Sequence, residues 1–448
     1  MKKLLAYILL VFLIACNTID ENTIDFTVSE LKIKLNYPEN STVTARQGVK
    51  ITLIDSKGTI FESQTDQTGT ATFNVPTGIY TATVSDKTSS IKIYNGNSSE
   101  IIITSGKDFY SEITLVETTT NKIIIKELYC GGCQMDDGSG YTRNDKYTTI
   151  YNNSADTVAI ENFSLAVAMP YNATGGNNNY VDNKLVYAEE SFIPAAMGIW
   201  YYPGTLTFLP YEQKVISIFG AIDHTQTYSN SVNLANKDYY VLYDENCDRY
   251  AGNTNYYPAP YEAIPHSNYF KAVVFGQGTS WVFSVTSPCF FIYYTDENPV
   301  DFCNDEQNHY FDGNKSGSWG SYGSCLKVPS ENILDAIEVF TTRYDDNKKR
   351  LTEDVDGGYI WHTNQYGYTL YRNVNQAATE ALPENKDKIV YNYSLGTQDI
   401  EKGTTDPSGI DAEASIKNGA HIIFEDTNNS GQDFHQRKKA AIKDWINQ

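Results

Sequence analysis

The feature that most constrains the fold of this chain is a regular alternation of apolar and polar residues between residue 26 and about residue 116. In residues 31–35 and 49–53 every second residue is apolar, which is the spacing of a β-strand with one buried face. Further strand candidates are residues 71–75, 80–84 and 91–94. These short strands predict a small β-sandwich, because each sheet must bury its apolar face against a second layer.

Within this segment, residues 65–80 carry the signature of a hairpin. Asp66 and Gly69 are placed to make the turn, and Phe73 is placed to enter the core. The run resembles the hairpin of transthyretin-like domains related to carboxypeptidase regulatory modules. The resemblance implies that residues 26–117 form such a sandwich, a module that usually acts as a stalk or spacer beside a working domain.

The chain opens with two lysines, an apolar stretch over residues 4–15 and then Cys16. The stretch is shorter than the roughly 20 residues of a membrane-spanning helix and is typical of a signal peptide. Residues 13–16 resemble the bacterial lipobox, in which the cysteine is acylated and becomes the mature N-terminus. We therefore predict a signal peptide over residues 1–15, a lipid on Cys16 and a polar tether over residues 16–25. An ordinary secretory signal with an incidental cysteine is the alternative.

The residues after Cys16 bear on location. Asn17 stands where an aspartate would resemble an inner-membrane retention signal, and Asp20 and Glu21 follow. Acidic residues at this distance resemble the surface-export signal of Bacteroidetes lipoproteins. We therefore predict an outer-membrane protein, lipid-anchored and exposed at the cell surface.

The charge and the composition narrow the partners. The formal net charge is −21, and so acidic a surface repels phosphate backbones, which excludes nucleic acid as a partner. Tyrosine is abundant, with 35 residues against four methionines. Tyrosine favours strands, and its ring with a polar tip also suits recognition of sugars or peptides. Both uses of tyrosine remain open.

A second β-rich segment begins after residue 121, and its order of motifs is similar to that of the lamin-tail family. The motifs that carry the resemblance are at residues 123–128, 145–154, 156–165 and 209–218. The resemblance implies an immunoglobulin-like sandwich over about residues 122–222. The sequence departs from the family pattern at Tyr211, where the family prefers glycine.

The larger pattern resembles a family of uncharacterised Bacteroidetes lipoproteins, DUF4876. Its blocks match residues 221–224, 231–234 and 424–430, with Asp433 and Phe434 following. The resemblance implies one domain over residues 122–448 and supplies no catalytic residues. Inside this domain, residues 240–330 read as a Cys- and Tyr-rich insertion.

Two helices are predicted near the end of the chain, at residues 331–341 and 434–447, each from apolar residues at helical spacing. The second carries a basic patch of Arg437, Lys438, Lys439 and Lys443. For residues 426–430 we predict side-chain turns that pin the C-terminal segment. The fold class is thus mainly β: two β-sandwich domains, transthyretin-like and immunoglobulin-like, and a loop-rich C-terminal region with a few short helices.

Six cysteines remain after Cys16, an even number that suits up to three disulfides in an exported protein. The disulfide candidates are Cys130, Cys133, Cys247, Cys289, Cys303 and Cys325. The spacing of Cys130 and Cys133 also fits a redox or metal site, but no helical pattern follows and no second such pair exists. A structural disulfide is the favoured interpretation.

No catalytic motif is recognisable, and we predict neither catalytic residues nor a cofactor. The site candidates are Asp223 and His224, with a structural histidine as the alternative. Asp354 and Asp356 are candidates for a calcium-binding loop, and a solvated turn is the alternative. Metal binding is otherwise undetermined.

These features predict a binding or accessory lipoprotein rather than an enzyme. Its partners would be the membrane, through the lipid on Cys16, and a TonB-dependent outer-membrane transporter, while the ligand is not identified. A structural or adhesive surface protein is one alternative. A carbohydrate- or peptide-directed hydrolase is the other.

Overall fold

The structure, a computed structural model, describes residues 28–444 except 40, 89–91, 106, 175–176, 178, 183, 314–316 and 398–403. Among these residues, the first domain has nine strands: β1 (Ser29–Asn36), β2 (Lys50–Asp55), β3 (Ile60–Gln64), β4 (Thr70–Val75), β5 (Gly78–Lys87), β6 (Lys92–Asn97), β7 (Ile101–Ile103), β8 (Phe109–Thr114) and β9 (Val116–Thr119).

These strands form the predicted sandwich. One sheet has the order β4-β1-β8 and the other β3-β2-β5-β6-β9, with β7 paired to the start of β5. The alternation seen in the sequence is confirmed, because Leu31, Ile33 and Leu35 are fully buried in the core between the sheets. The hairpin turn is confirmed as well. Asp66 Oδ1 accepts hydrogen bonds from the backbone of Thr68 and Thr70, and Gly69 has φ +77°, a conformation that glycine adopts without strain.

The second domain contains 19 strands among the described residues: β10 (Ile123–Tyr129), β11 (Tyr147–Asn152), β12 (Val158–Glu161), β13 (Ser164–Val167), β14 (Tyr180–Val181), β15 (Lys184–Leu185), β16 (Phe192–Ala196), β17 (Gly198–Tyr201), β18 (Thr205–Phe208), β19 (Gln213–Ser217), β20 (Tyr240–Val241), β21 (Lys271–Val274), β22 (Cys289–Tyr293), β23 (His309–Phe311), β24 (Ser324–Pro329), β25 (Ile333–Thr341), β26 (Ile360–His362), β27 (Thr369–Arg372) and β28 (Phe434–Arg437).

The described helices are short. The α-helices are α1 (Pro299–Asn304), α2 (Gln376–Glu380), α3 (Ala412–Lys417) and α4 (Ser430–Asp433). Single 3₁₀ turns are at Ala188–Glu190, His224–Gln226, His266–Asn268, Glu306–Asn308, Ser330–Asn332, Pro383–Asn385 and Ala441–Asp444. In the described part of the chain, no helix has the length and apolar character needed to cross a membrane.

Two six-stranded sheets make the second sandwich. Their orders are β20-β19-β11-β10-β27-β28 and β21-β17-β13-β22-β25-β26. Ile125 and Ile216 of the first sheet share one core with Phe290 and Ile337 of the second. A small sheet, β16-β24-β23, covers the other face of the second sheet, where Phe291 packs against Leu326.

The region predicted as an insertion is more integrated than its sequence indicates. It contributes β20 to β24, which belong to both six-stranded sheets and to the three-stranded sheet of the second domain. Its tyrosines also build the core, because Tyr250 and Tyr257 pack on the fully buried Trp200 with ring centroids 5.6 and 5.8 Å away. Much of the tyrosine excess therefore serves packing.

The predicted helix over residues 331–341 is wrong. This segment is one 3₁₀ turn followed by β25, which lies between β22 and β26 in the sheet. Nearly every residue of β25 is buried, so both faces of the strand need apolar side chains. A strand covered on both faces lacks the alternation of period two, and its apolar residues then match helical spacing by coincidence.

The predicted helix over residues 434–447 is also wrong as far as the structure describes it, to residue 444. β28 instead pairs with β27 at the edge of the sheet, and a 3₁₀ turn follows. The basic patch is dispersed, because Arg437 is buried against Asp444 and Lys439 binds the same carboxylate. Pairing with a neighbouring strand has overridden the local preference of the segment.

The departure from the lamin-tail pattern at Tyr211 has a structural explanation. Tyr211 has φ +56°, a left-handed conformation that glycine adopts most readily. Its side chain stacks on His421, with ring centroids 4.3 Å apart, and this contact offsets part of the backbone strain.

Residues 425–433, which we call the C-terminal block, form one part of the contact between the two domains. The side-chain amide of Asn95 in β6 donates to the carbonyls of Thr427 and Asn428 at 2.8 and 3.1 Å. In return Asn428 donates to the hydroxyl of Thr118 in β9 at 2.7 Å. The predicted turns are confirmed, because Asn429 accepts from the backbone of Gly431.

Arg372, at the end of β27, holds the C-terminal block in place from within the second domain. Its fully buried guanidinium forms ion pairs with Asp335 of β25, with Asp426 at 3.5 Å and with Asp433 at 3.4 Å. It also donates to the carbonyl of Ile125 at 2.7 Å. One cation therefore connects two sheets with the block that holds the first domain.

We expect Arg372→Met to destabilise the second domain by about 3 to 5 kcal/mol, because it leaves buried carboxylates without their counter-charge. The measurement is urea unfolding at neutral pH. Lys122→Met is the matched control, since Lys122 pairs with Asp156 at the surface and its loss should cost less than about 1 kcal/mol. Equal stabilities for the two variants would contradict this role of Arg372.

Candidate functional site

Two openings in the surface of the second domain meet at Glu380, the last residue of α2. One has a volume of about 550 Å³ and is lined by Glu380, Asn385, Lys386, Asp387, Ile389 and Tyr391. The other has a volume of about 380 Å³, and its lining includes Asn375, Gln376, Glu380, Ser408 and Glu425. We call the two together the Glu380 groove.

The position of α2 is set by its N-cap. Asn375 Oδ1 accepts a hydrogen bond from the backbone of Ala378 at 2.9 Å, which satisfies one of the free N–H groups at the start of the helix. The amide of the same residue donates to Glu425 at 3.2 Å. The cap thus ties α2 to the C-terminal block and fixes one wall of the groove.

Glu380 is held as a charged carboxylate. Gln376, one helical turn earlier, and the hydroxyl of Tyr391 both donate to its Oε1 at 2.8 Å. These two hydrogen bonds lower the pKa of Glu380, because they stabilise the ionised form. The hydrogen bond to Glu380 also raises the pKa of Tyr391, so the phenol stays a donor at neutral pH.

The pKa of Glu425, which also lines the groove, is shifted in the opposite direction. Burial raises its pKa, and the neighbouring Asp433 raises it further. The groove therefore presents two carboxyl groups with different proton affinities.

An exposed aromatic ring completes the site. Tyr391 leaves 47% of its surface exposed, and Asn385 behind it is fixed by hydrogen bonds to the carbonyls of Thr379 and His421. A ring beside carboxylate and amide groups suits a ligand with many hydroxyls, since the ring packs on its apolar face and the polar groups bind the hydroxyls.

The structure places the predicted site residues Asp223 and His224 away from this groove. Asp223 caps the 3₁₀ turn that follows, and accepts from Thr225 and Gln226. Burial alone would raise the pKa of Asp223, but these hydrogen bonds lower it. His224 Nε2 lies 2.8 Å from the carbonyl oxygen of Gly220. Both contacts are those expected of residues with a structural role, which was the alternative to a binding site.

The six disulfide candidates are unpaired thiols in this structure, which gives the predicted disulfides no support. Five are buried and Cys247 is half-buried. Burial raises the pKa of both Cys130 and Cys133 to about 12, so both are protonated, whereas a redox-active pair needs a thiolate. Cys16 lies outside the described residues, so its predicted lipid stays a prediction.

In the loop considered as a calcium site, at Asp354 and Asp356, the carboxylate of Asp356 is engaged in hydrogen bonds within the protein. Asp356 accepts from the backbone of Ser430 at 2.8 Å and of Glu338 at 3.1 Å. Its oxygens therefore serve the junction between β25 and the C-terminal block. In the described ranges, no group of three or more His, Cys, Asp or Glu side chains is arranged to hold a metal ion.

Sequence reasoning missed the Glu380 groove because its residues are distant in the chain. Glu380, Tyr391, Ser408 and Glu425 come from four separate segments. The one local signal was Asn375 as a helix cap, followed by Gln376 and Glu380 at helical spacing.

Comparison with known proteins identifies one family. A family model described as "Protein of unknown function (DUF4876)" matches residues 209–441, which is more than half of the chain. No curated protein matches. The matched region contains every residue that lines the Glu380 groove.

Several solved structures are similar. A DUF4876 family protein from Bacteroides thetaiotaomicron is 21% identical with a TM-score of 0.49, over 91% of this chain and 94% of that one. The Bacillus anthracis TIE protein is 16% identical with a TM-score of 0.17, over 42% of this chain and 28% of that one. A DUF3823 family protein from Parabacteroides merdae is 14% identical with a TM-score of 0.17, over 41% and 80%.

The state of the cysteines can be tested in the native protein. We expect a thiol reagent to label Cys247 first, because it is the half-buried thiol among the six. Cys130 and Cys289 should react only after unfolding, since burial raises the pKa of each. Peptide mass spectrometry of protein purified without reductant is the measurement. A disulfide-linked peptide pair would contradict the expectation.

Proposed function

The chain belongs to the DUF4876 family of proteins of unknown function, and we propose that it is a lipoprotein of the outer membrane that binds a hydroxyl-rich ligand, such as an oligosaccharide, without changing it chemically. The lipid is on Cys16, and the protein faces the outside of the cell. The ligand binds in the Glu380 groove.

The observation that carries this proposal is the composition of the groove. The exposed ring of Tyr391 stands beside the charged carboxylate of Glu380, with the amide of Gln376 on the same carboxylate oxygen. An aromatic face and fixed polar groups are what recognition of a sugar needs. The two openings have volumes of about 550 and 380 Å³.

The location is supported by the lipobox-like residues before Cys16 and by the acidic residues after it. In chain order the first domain stands between Cys16 and the groove. Its polar contacts with the C-terminal block, among them Asn95 to Thr427, hold the second domain in a fixed position on it. A ligand bound there would be handed to a TonB-dependent transporter, which is the partner we propose.

One observation favours a second candidate function, hydrolysis of the bound sugar. Glu380 and Glu425 line the same opening, and their pKa values are shifted in opposite directions. Glycoside hydrolases use a protonated and an ionised carboxyl group in this way.

We expect the wild-type protein to be acylated on Cys16 and to be removed from intact cells by added protease. Cys16→Ala should lose the acyl chains and the attachment to the membrane fraction, because no other lipid anchor is proposed. Mass spectrometry of the mature N-terminus and immunoblots of shaved cells are the measurements. An acylated protein that resists protease on intact cells would place it on the inner side of the membrane and refute surface exposure.

Binding can be tested on a panel of plant and host oligosaccharides. We expect Tyr391→Ala and Glu380→Gln each to weaken binding about tenfold, because each removes a central contact worth more than 1 kcal/mol. Tyr366→Ala is the matched control. Tyr366 is 59% exposed, but it comes before β27 in the chain, whereas all residues that line the groove come after β27.

Three other outcomes are informative. Binding to matrix proteins alone, with no sugar bound, would replace this proposal by an adhesive function. Release of new reducing ends that is lost in Glu425→Gln would replace it by the hydrolase. Unchanged affinity in both groove variants would reject the groove as the site.

A further inference from the structure

The outer face of the first domain carries exposed isoleucines at one end. Ile60, Ile79 and Ile102 leave 47, 43 and 61% of their surfaces exposed. They occupy β3, β5 and β7, and the residues next to them in the strand, such as Ile101 and Ile103, point into the core. The exposed positions are therefore the outward half of a regular strand alternation, where polar side chains are the norm.

The strand register brings these residues together. Ile102 lies directly opposite Ile79, and Ile60 lies directly opposite Ile54 of β2. Ile54 in turn lies opposite Thr81, two residues from Ile79 on the same face of β5. Residues that lie opposite each other across strands, and diagonal neighbours such as Ile54 and Ile79, are within reach of each other's side chains. Ile54, Ile60, Ile79 and Ile102 thus form one band across four strands, which we call the isoleucine strip.

The second domain covers only the other end of this face. Thr83 in β5 contacts Asn429 at 3.3 Å, and Asn97 in β6 contacts Glu353 at 2.8 Å. Both lie further along the sheet than the isoleucine strip. The strip is left to solvent by the part of the chain that the structure describes, and a continuous exposed apolar band marks an interaction site.

The strip lies where the lipid-bearing end of the chain joins the domain. The hydroxyl of Ser29, the first residue of β1, donates to the carbonyl of Thr104 at 3.1 Å, and Thr104 is two residues after Ile102. Residues 17–28 separate Ser29 from Cys16. At no more than about 3.5 Å per residue they span at most about 40 Å, so a lipid on Cys16 keeps this end of the domain within that distance of the bilayer.

The surroundings of the strip suit a lipid surface. Lys57 is exposed in the turn between β2 and β3, beside Ile54 and Ile60. The acidic residue in that turn, Asp55, is engaged by the backbone N–H groups of Lys57 and Thr59, both at 2.8 Å. Isoleucines beside a lysine match the acyl boundary and the headgroups of a membrane.

We propose that the isoleucine strip contacts the membrane leaflet that holds the lipid of Cys16. This inference rests on the lipid anchor of the proposed function and goes beyond it. The first domain then lies against the bilayer in one orientation instead of swinging on its tether. Because the polar junction fixes the second domain on the first, the contact also sets the orientation of the Glu380 groove.

The test uses the full lipidated protein in vesicles of phosphatidylethanolamine and phosphatidylglycerol, with and without bromine on the acyl chains. Ile102→Trp places a fluorescent probe in the strip. Tyr110→Trp is the matched control, because Tyr110 is also 61% exposed but lies on β8, in the other sheet. The five native tryptophans contribute equally to both variants.

We expect bromine to quench the added fluorescence of Ile102→Trp and to leave that of Tyr110→Trp unchanged. Equal quenching of the two probes, or none, would overturn the inference. Mass spectrometry of the same samples separates the causes of failure. If Cys16 carries lipid and Ile102→Trp is not quenched, the membrane contact alone fails.

Two further outcomes also overturn the inference. If Cys16 carries no lipid, the lipoprotein proposal fails and the membrane contact fails with it. If the lipidated protein self-associates in detergent and Ile79→Asp makes it monomeric, the isoleucine strip is a contact between copies of the chain.

Discussion

The architecture depends on one buried cation. Arg372 is fully buried and draws together Asp335 from β25 and two aspartates of the C-terminal block, Asp426 and Asp433. An uncompensated guanidinium at this depth would cost several kcal/mol, so the carboxylates must close around it for the second sandwich to form. The ion pairs of Asp426 and Asp433 also place the backbone of residues 427–428 against β6. This part of the contact between the domains therefore depends on the charge inside the second one.

Three carboxyl groups around one guanidinium do not balance if all are ionised. Burial raises the pKa of Asp426, and Asp335 and Asp433 raise it further, although Arg372 acts against this shift. The net effect of these surroundings is that the pKa of Asp426 rises to about 8. Because its pKa in the fold is above the unfolded value, its contribution to stability is complete at acidic pH and is lost as the pH rises through the raised value. Asp426 therefore favours the junction more strongly at acidic pH than at alkaline pH.

How far the sequence predicts this molecule differs between its parts. Strands with one solvent-exposed face, such as β1, are recognisable from the alternation of apolar and polar residues, and this pattern correctly predicts a sandwich for the first domain. β25 was mistaken for a helix because both of its faces are buried. The groove could not be predicted from the sequence, since Glu380 and Tyr391 come into contact only after the segment between them has folded back. Asp223 and His224 were predicted as a site because they belong to a family motif, but in the structure they form a capped turn.

On the function proposed above, the two-domain scaffold presents the Glu380 groove to a hydroxyl-rich ligand. Hydrogen–deuterium exchange of the intact protein, with and without a mixture of polysaccharide-derived oligosaccharides, tests this most directly. Binding at the groove predicts slower exchange in Gln376–Glu380 and around Tyr391, with the rest of the second domain unchanged. Slower exchange confined to another surface, in a mixture that binds the protein, would contradict the account.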